Sequence, residues 1–554
     1  MNQELDISKM SVTFVNMPLR ESAPPVVAPE GPALLASKLR KLGVQVSILD
    51  LNAYRIKDKY SEAMGLKCGR HLTFPEAELY LLAHLNKHGD QDIIAMSGII
   101  TTLNWQEHFA KIVRKYQPYC FLVSGNGLAT EIKFGLFNWI PELDAIARSE
   151  GDDIIVSIVK DAALIKKYGK TSAILNKKVS KSYKCMYRGM HRFVYEGNRP
   201  GSLDEIEYAA WHLLESDPFG NNLLEEYIKI PIWGLAANNS SAAPFQMKRS
   251  LNTVSSRGCP YSCAFCYRGA QGERNYGIRS AENLAKQLKG YTSLYNLDFI
   301  GYVDDNFAVS KKRMGLLPEV FREYGVKVKG GTHTRMDEAD QRLFPMSDAG
   351  CIYIGFGAES AHEKTLKRMK KGGFILKNGL EKINVNGDSY EFPHTMTTAI
   401  RNCHRSGVHA NCTWIMGYPG EALSHLKTSV AFIKWQQDII ENELVENNNE
   451  YIDTKSAINR SMFTATAYPG TAMFKEPVVV NKLKENFGIS FDKNSDPICD
   501  DNFKFYVSQL DDATKILNDK KGNPINYSDL SMEQFLLARS YIDNNEVEKI
   551  LEMK

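Results

Sequence analysis

The 554-residue sequence predicts an α/β protein: a doubly wound front domain, a long alternation of strands and helices, and a small, mostly helical C-terminal region. Three observations predict this. Short apolar runs alternate with amphipathic stretches from residue 11 onward, the pattern of parallel sheets covered by helices. Glycine and small polar residues recur at the ends of those runs, as in Ser97-Gly98 and Ser124-Gly125-Asn126-Gly127, where an open sheet meets ligands or simply turns into the next helix. With 43% hydrophobic and 24% charged residues, the chain can bury a large core, which excludes collagen, dominant disorder and a disulfide-dense miniprotein.

The elements follow in order. SVTFVN (11–16) reads as a first strand, and GPALLASKLRKLG as a helix with leucines 34, 35, 39 and 42 on one face and Gly43 as its C-cap. VQVSILDL is a second strand, 93–96 a third, 104–115 a helix, 121–124 a fourth strand and 144–147 a fifth. Asn16-Met17-Pro18-Leu19 carries no GxGxxG, so a dinucleotide held by that fingerprint is excluded. Residues 153–245 read as a helical connecting region, with the aromatic stretch 183–195 as a linker packed between domains. Strands and helices then alternate over 246–480, with helices expected at 280–289, 311–323, 338–348, 361–370 and 421–434. Beyond them, 481–554 form a C-terminal cap with helices near 531–540 and 543–553.

Basic and acidic residues nearly balance, 68 against 65, so nothing global argues for a nucleic-acid partner. The opening MNQELDISKMSVTF lacks a signal-peptide profile, and the apolar runs fall far short of the roughly 20 residues that span a membrane. A cytoplasmic protein without a membrane partner is expected.

Of ten cysteines, three cluster: Cys259, Cys263 and Cys266, in a CxxxCxxC loop. This spacing puts three thiolates around one small site. Three can hold three irons of a 4Fe-4S cube and leave the fourth open to another ligand. A zinc site is the physical competitor, but no fourth cysteine or histidine lies near, and His333 is the closest downstream.

The loop, with aromatic Phe265 before its last cysteine, resembles the defining motif of the radical S-adenosylmethionine (SAM) enzymes. The resemblance implies a partial (β/α)6 barrel with its chemistry at the carboxyl ends of the strands. DFIGYVDDNF (298–307), CIYIGFGAES (351–360), NCTWIMGYPGE (411–421) and TAYPGT (466–471) resemble the second, fourth, fifth and sixth strand ends. By that resemblance Phe265, Asp304, Asp305, Glu359, Ser360 and Gly417 bind SAM. His333, Arg335, Trp414 and Tyr468, at or beyond strand candidates, are candidates for substrate contact. Helix capping is an equally physical reading of Asp304, Asp305 and Glu421.

The front segment resembles the N-terminal domain of cobalamin-binding radical SAM enzymes, over about residues 11–150, so that with 245–480 the likeness covers roughly 70% of the chain. It implies a cobalamin over the carboxyl edge of the sheet, touching Pro18, Glu30, Ser97, Gly98, Thr101, Thr102, Leu103, Ser124, Gly125 and Gly127. The DxHxxG ligand motif is absent, since Leu51 and Asn52 follow Asp50. The lower cobalt position is then empty, weakly solvated or filled by a side chain, to be sought between Ser97 and Asn104.

The family chemistry implied is methyl transfer from methylcobalamin to an unactivated carbon of a small molecule or peptide. A 5'-deoxyadenosyl radical opens that carbon, and an external one-electron reductant of flavodoxin or ferredoxin type feeds the cluster. The alternatives are a cobalamin-dependent cyclase or ring-rearranging enzyme, a radical SAM enzyme without cobalamin, and a non-catalytic iron-sulfur redox sensor. A tRNA methylthiotransferase would bring a second three-cysteine set, and the front domain has only Cys68 and Cys120.

Overall fold

The structure is a computed structural model that describes residues 5–22, 24–170, 173, 183–187, 190–230, 247–267, 275–446, 458, 460, 462–510 and 515–554. The first sheet holds β1 (Ser11–Asn16), β2 (Gln45–Asp50), β3 (Ile93–Ser97), β4 (Phe121–Gly125) and β5 (Ala145–Arg148), all parallel, in the order β2-β1-β3-β4-β5. Its strands are almost wholly buried because helices cover both faces. Helix Glu30–Lys41 covers β1 and β2 with buried Leu34 and Leu39, Leu35 is partly buried, and Leu42 falls beyond the helix and is exposed. Gly43 takes the left-handed conformation (φ 82°) that ends it.

The helical connector expected at 153–245 is corrected in part. Helix Ile155–Tyr168 is there, but β6 (Tyr183–Tyr187) and β7 (Met190–Glu196) follow as a hairpin, and β7 runs parallel to β5 to extend the first sheet to seven strands. Phe193, Val194 and Tyr195 are all buried, which is what a strand covered on both faces demands of consecutive residues. The stretch read as an interdomain linker is therefore sheet.

Downstream, β8 (Ser250–Thr253) opens a second sheet, and β9 (Ser256–Arg257) and β10 (Gly277–Ile278) pair antiparallel on either side of the cysteine loop. The sheet continues with β11 (Phe299–Tyr302), β12 (Lys329–Thr334) and β13 (Cys351–Glu359). A hairpin of β14 (Leu380–Val385) and β15 (Asp388–Pro393), which the sequence reading lacks, interrupts the alternation before β16 (His409–Met416) and β17 (Met462–Thr464). The six parallel strands lie in chain order, β8-β11-β12-β13-β16-β17, and among the described residues β8 and β17 do not pair. The result is a half-barrel, an open arc with helices outside it.

The C-terminal region is mostly helical, with Asp501–Ser508, Met532–Asp543 and a 3-10 turn at Val547–Glu552. Among the described residues no helix is long and apolar enough to cross a membrane.

Candidate functional site

The cysteine loop is held at both ends. At its start, Ser255 N and Oγ donate to Asp304 (both 2.6 Å), Ser256 Oγ donates to Asp304 (2.7 Å) and Gly258 N donates to Asp305 (2.8 Å). Gly258 sits at φ 86°, where a β-carbon would collide with the carbonyl of Asn275, so only glycine fits. In the middle, Ala264 N donates to Met369 O and Ala264 O accepts from Met473 N, both at 2.8 Å. These bonds strap the loop between the segments that follow β13 and β17.

Donors line the sulfurs. Arg335 Nη1 lies 3.4 Å from Cys263 Sγ, and Asn306 Nδ2 lies 3.9 Å from Cys259 Sγ. Burial pushes the Cys259 thiol up, and Cys263 beside it adds to the shift. Cys266 is pushed up to about 12, by desolvation first and then by Cys263 and Cys259. Thiols held up in this way, as at Cys259 and Cys266, give up their protons readily to a cationic centre. Among the described residues no three His, Cys, Asp or Glu side chains converge on one point as a single ion requires. A cube takes its cysteines at separate corners, and the donor set fits that group.

Asp304 and Asp305 lie beyond β11 as expected, but their carboxylates are taken by the loop itself, and Asp304 is fully buried beside Arg313 (4.0 Å). In this position they brace the entry to the cysteine loop. Glu359 ends β13 at φ 65°, where the register with β16 slips, and its carboxylate pairs with Lys371 Nζ at 3.2 Å. A side chain held in the left-handed region at a bulge marks a strained position. Lys371 also lies 5.8 Å from the centre of the Phe265 ring, so Glu359, Lys371 and Phe265 form one group beside the loop. The sequence reading missed Lys371, whose signal was the basic run after Leu366.

Ser360 is buried, 3.3 Å from Ser429 on the covering helix. Gly417 (φ 78°) faces the C-terminal region, where a β-carbon would come 2.7 Å from Phe535.

Of the substrate candidates, Arg335 belongs to the cluster wall: it bonds Asp337 (2.9 Å) and stacks 3.9 Å over Tyr261. Trp414 is fully buried against Phe432 of helix Leu423–Glu446, on the outer side of the strand layer. His333 lies on β12 with its imidazole lowered to about 4 by desolvation, and is therefore neutral at pH 7. Gly355 on the neighbouring strand leaves room for its ring, since a β-carbon there would approach His333 Cδ2 to 2.6 Å. Tyr468 lines a cavity of about 250 Å³ with Thr466, Gln509 and Leu510.

The carboxyl edge of the first sheet faces this loop. Tyr267, directly after Cys266, donates its hydroxyl to Gly127 O at 3.5 Å. A β-carbon on Gly127 would lie 3.3 Å from both Tyr267 Oη and Ile99 Cα, a close three-way approach. A second cavity of about 250 Å³ lies along the edge, lined by Ser97, Gly125, Asn126 and Gly151 of the front domain and by Val254 and Arg257 of the barrel.

Several expected cobalamin contacts have other partners. Gln106 bonds Thr102 (3.2 Å) and accepts from Ser124 (2.6 Å), which makes those two and buried Leu103 part of the interior. Gly98 packs so tightly on Thr102 that no β-carbon fits. Pro18 is buried. Glu30 bonds the first barrel strand through Thr253 (3.1 Å) and Asn252 (3.3 Å), and burial raises its carboxyl to about 7. Ser97, Thr101 and Gly125 remain half-buried at the edge. Sequence reasoning also missed Glu131, raised to about 7 by burial, hydrogen-bonded to Tyr267 and pressed under Gly470.

Residues 253–433 match the family described as the Radical SAM superfamily. The cysteine loop and the strands β11 to β16 lie inside the matched region. The two-part architecture is similar to that of OxsB. The structure described as the cobalamin-dependent S-adenosylmethionine radical enzyme OxsB with aqua-cobalamin and S-adenosylmethionine bound superposes with a TM-score of 0.59 at 16% identity, over 88% of this chain and 64% of that one. The chain is 23% identical over 482 residues to a protein named as an uncharacterized methyltransferase from Pyrococcus horikoshii, covering 86% of this chain and 84% of the relative. It is 21% identical over 357 residues to the anaerobic magnesium-protoporphyrin IX monomethyl ester cyclase of Cereibacter sphaeroides, covering 63% of this chain and 50% of that one. The chain therefore spans less than two thirds of OxsB and half of the cyclase.

Proposed function

We propose that the chain is a cobalamin-dependent radical SAM enzyme that transfers a methyl group to a carbon of a small molecule or peptide. The observation that carries this reading is the contact between Tyr267, at the end of the cysteine loop, and Gly127, at the carboxyl edge of the front sheet. It sets a three-thiol site and a sheet edge of the ligand-binding kind against each other. Cys259, Cys263 and Cys266 would hold a 4Fe-4S cluster, with SAM beside Phe265 and the Glu359–Lys371 pair and cobalamin along Ser97, Thr101 and Gly125. These groups would supply an adenosyl radical and a methyl donor. The chain's own residues position and shield: Arg335 and Asn306 donate toward the sulfurs, Asp304 and Asp305 fix the loop's entry, and neutral His333 and the cavity beside Tyr468 are the proposed places of substrate contact.

The test is anaerobic reconstitution with iron, sulfide and cobalamin, followed by a cofactor count and a dithionite-dependent assay for 5'-deoxyadenosine. One four-iron cluster and one cobalamin per chain are expected. Cys259→Ala, Cys263→Ala and Cys266→Ala each abolish 5'-deoxyadenosine formation and lose iron while retaining cobalamin. A cluster without cobalamin would overturn the methyl-donor reading, and neither cofactor in folded protein would overturn both. The relative named as a cyclase favours ring closure as the second reading, and a product lacking a one-CH2 mass gain would select it.

A further inference from the structure

We propose that the face carrying Lys370, Phe374 and Lys377 is the docking surface for a small acidic one-electron carrier protein, which reduces the cluster through this side of the loop. The inference rests on the cluster reading above and adds where its electron enters. Phe374 is 57% exposed, an unusual setting for a large apolar ring, and its ring meets Tyr261 edge-on at 5.5 Å. Tyr261 lies midway between Cys259 and Cys263 in the chain, and the Arg335 guanidinium stacked on it reaches Cys263 Sγ. One unbroken line of contacts therefore runs from a solvent-facing aromatic to a cluster sulfur. Beside it opens a cavity of about 470 Å³, lined by Tyr261, Phe374, Lys377, Lys311 and Arg342.

The segment that borders this opening is strongly basic. From Glu363 to Lys377 the chain carries Lys364, Lys367, Arg368, Lys370, Lys371 and Lys377 against one acid, in a protein whose total charge is only +3. Glu363 is taken by Lys367, and the cavity's acids Asp337 and Asp340 are taken by Arg335 (2.9 Å) and Arg342 (2.8 Å). Among the described residues Lys364, Lys370 and Lys377 make no ion pair within 4 Å, and all three are exposed. Met369, directly before Lys370, is the residue whose carbonyl holds the cysteine loop. An apolar anchor with unpaired Lys377 beside it, in a segment that also exposes Lys364 and Lys370, complements a partner with an acidic rim around an exposed redox centre. In the step itself the reduced carrier gives up one electron and the cluster gains it, and no bond or proton is exchanged.

The test uses a purified flavodoxin as the acidic carrier and measures its Kd for the full-length chain across a salt series, beside 5'-deoxyadenosine formation driven by flavodoxin or by dithionite. Lys370→Glu/Lys377→Glu is expected to weaken binding about tenfold at low salt and to flatten the salt dependence. Phe374→Ala weakens binding without changing the salt slope. Flavodoxin-driven turnover falls in proportion in both variants, while the dithionite-driven rate holds. Lys286→Glu/Lys289→Glu, on helix Ala281–Tyr295, is the charge control and should change nothing. An unchanged Kd and salt slope in Lys370→Glu/Lys377→Glu, or an equal loss in the control, overturns the proposal. Failure of dithionite to cleave SAM in the wild type would instead overturn the enzyme reading, and the Kd comparison would still decide the docking face.

Discussion

Glu421 shows what burial does to one side chain. It lies fully buried in the turn after β16, accepts a hydrogen bond from Gly417 N at 2.6 Å, and has its carboxyl raised by desolvation from 4.5 to about 8. The folded state thus keeps a proton that the unfolded chain releases. The stability this group contributes is complete below about pH 4.5 and drains away as the pH rises through about 8. Glu421→Gln, which keeps the size and removes the titration, should flatten the pH dependence of unfolding across that window by on the order of 5 kcal/mol. Urea denaturation at intervals from acid to alkaline pH measures it, and a variant as pH-sensitive as the wild type would count against the assignment.

At the scale of elements, the helix Met532–Asp543 leans on the turn after β16. Phe535 fills the space that a β-carbon on Gly417 would need, and Gly417 itself is at φ 78°. Gly417→Ala should therefore cost about 2–4 kcal/mol, part from the left-handed backbone and part from the overlap. Adding Phe535→Leu relieves only the overlap, so the double variant should recover roughly half of the loss in thermal or urea unfolding. Additive losses would show that the two residues do not share the space.

The same elements mark how far the sequence could be read. Apolar periodicity located β1, β3 and β4, and the cysteine spacing located the loop, because both signals are local. The hairpin β6–β7 was read as a linker because its aromatic run signals a strand only once both faces are known to be covered. Arg335 and Trp414 stand only as candidates for substrate contact, because a residue on or just beyond a strand reads the same in sequence whether it faces the site or the outer layer. Lys371 and Glu131 escaped notice for the converse reason. Each acquires its role from a partner remote in sequence or in another domain, Glu359 and Tyr267 respectively.

For the whole molecule, the two domains are joined by polar contacts that neither could satisfy alone. Arg257 of the barrel pairs with Glu150 (3.1 Å) and Asp152 of the front domain, and Asn252 on β8 accepts from Ala28 N at 2.7 Å. Buried groups tied across an interface make the halves unfold together. A single calorimetric transition is expected for the wild type. In Glu150→Gln/Asn252→Ala it should split into two, or broaden visibly, as the halves part company. A variant that melts in one sharp step would show that the apolar contacts alone suffice.

Among the described residues the arc of six strands stops short of closing, and β8 and β17 stand at its two edges. A closed ring fixes the girth of whatever it encloses, because every strand is committed to two neighbours. A split ring leaves that dimension to the pieces lodged in its opening. Here those pieces are the strapped cysteine loop, the TAYPGT turn and the front domain leaning in through Glu131. The strands thus supply a fixed wall, and the segments packed at its open end set the width of the space in front of it. Lengthening or shortening those segments would change that width without altering the register of the strands.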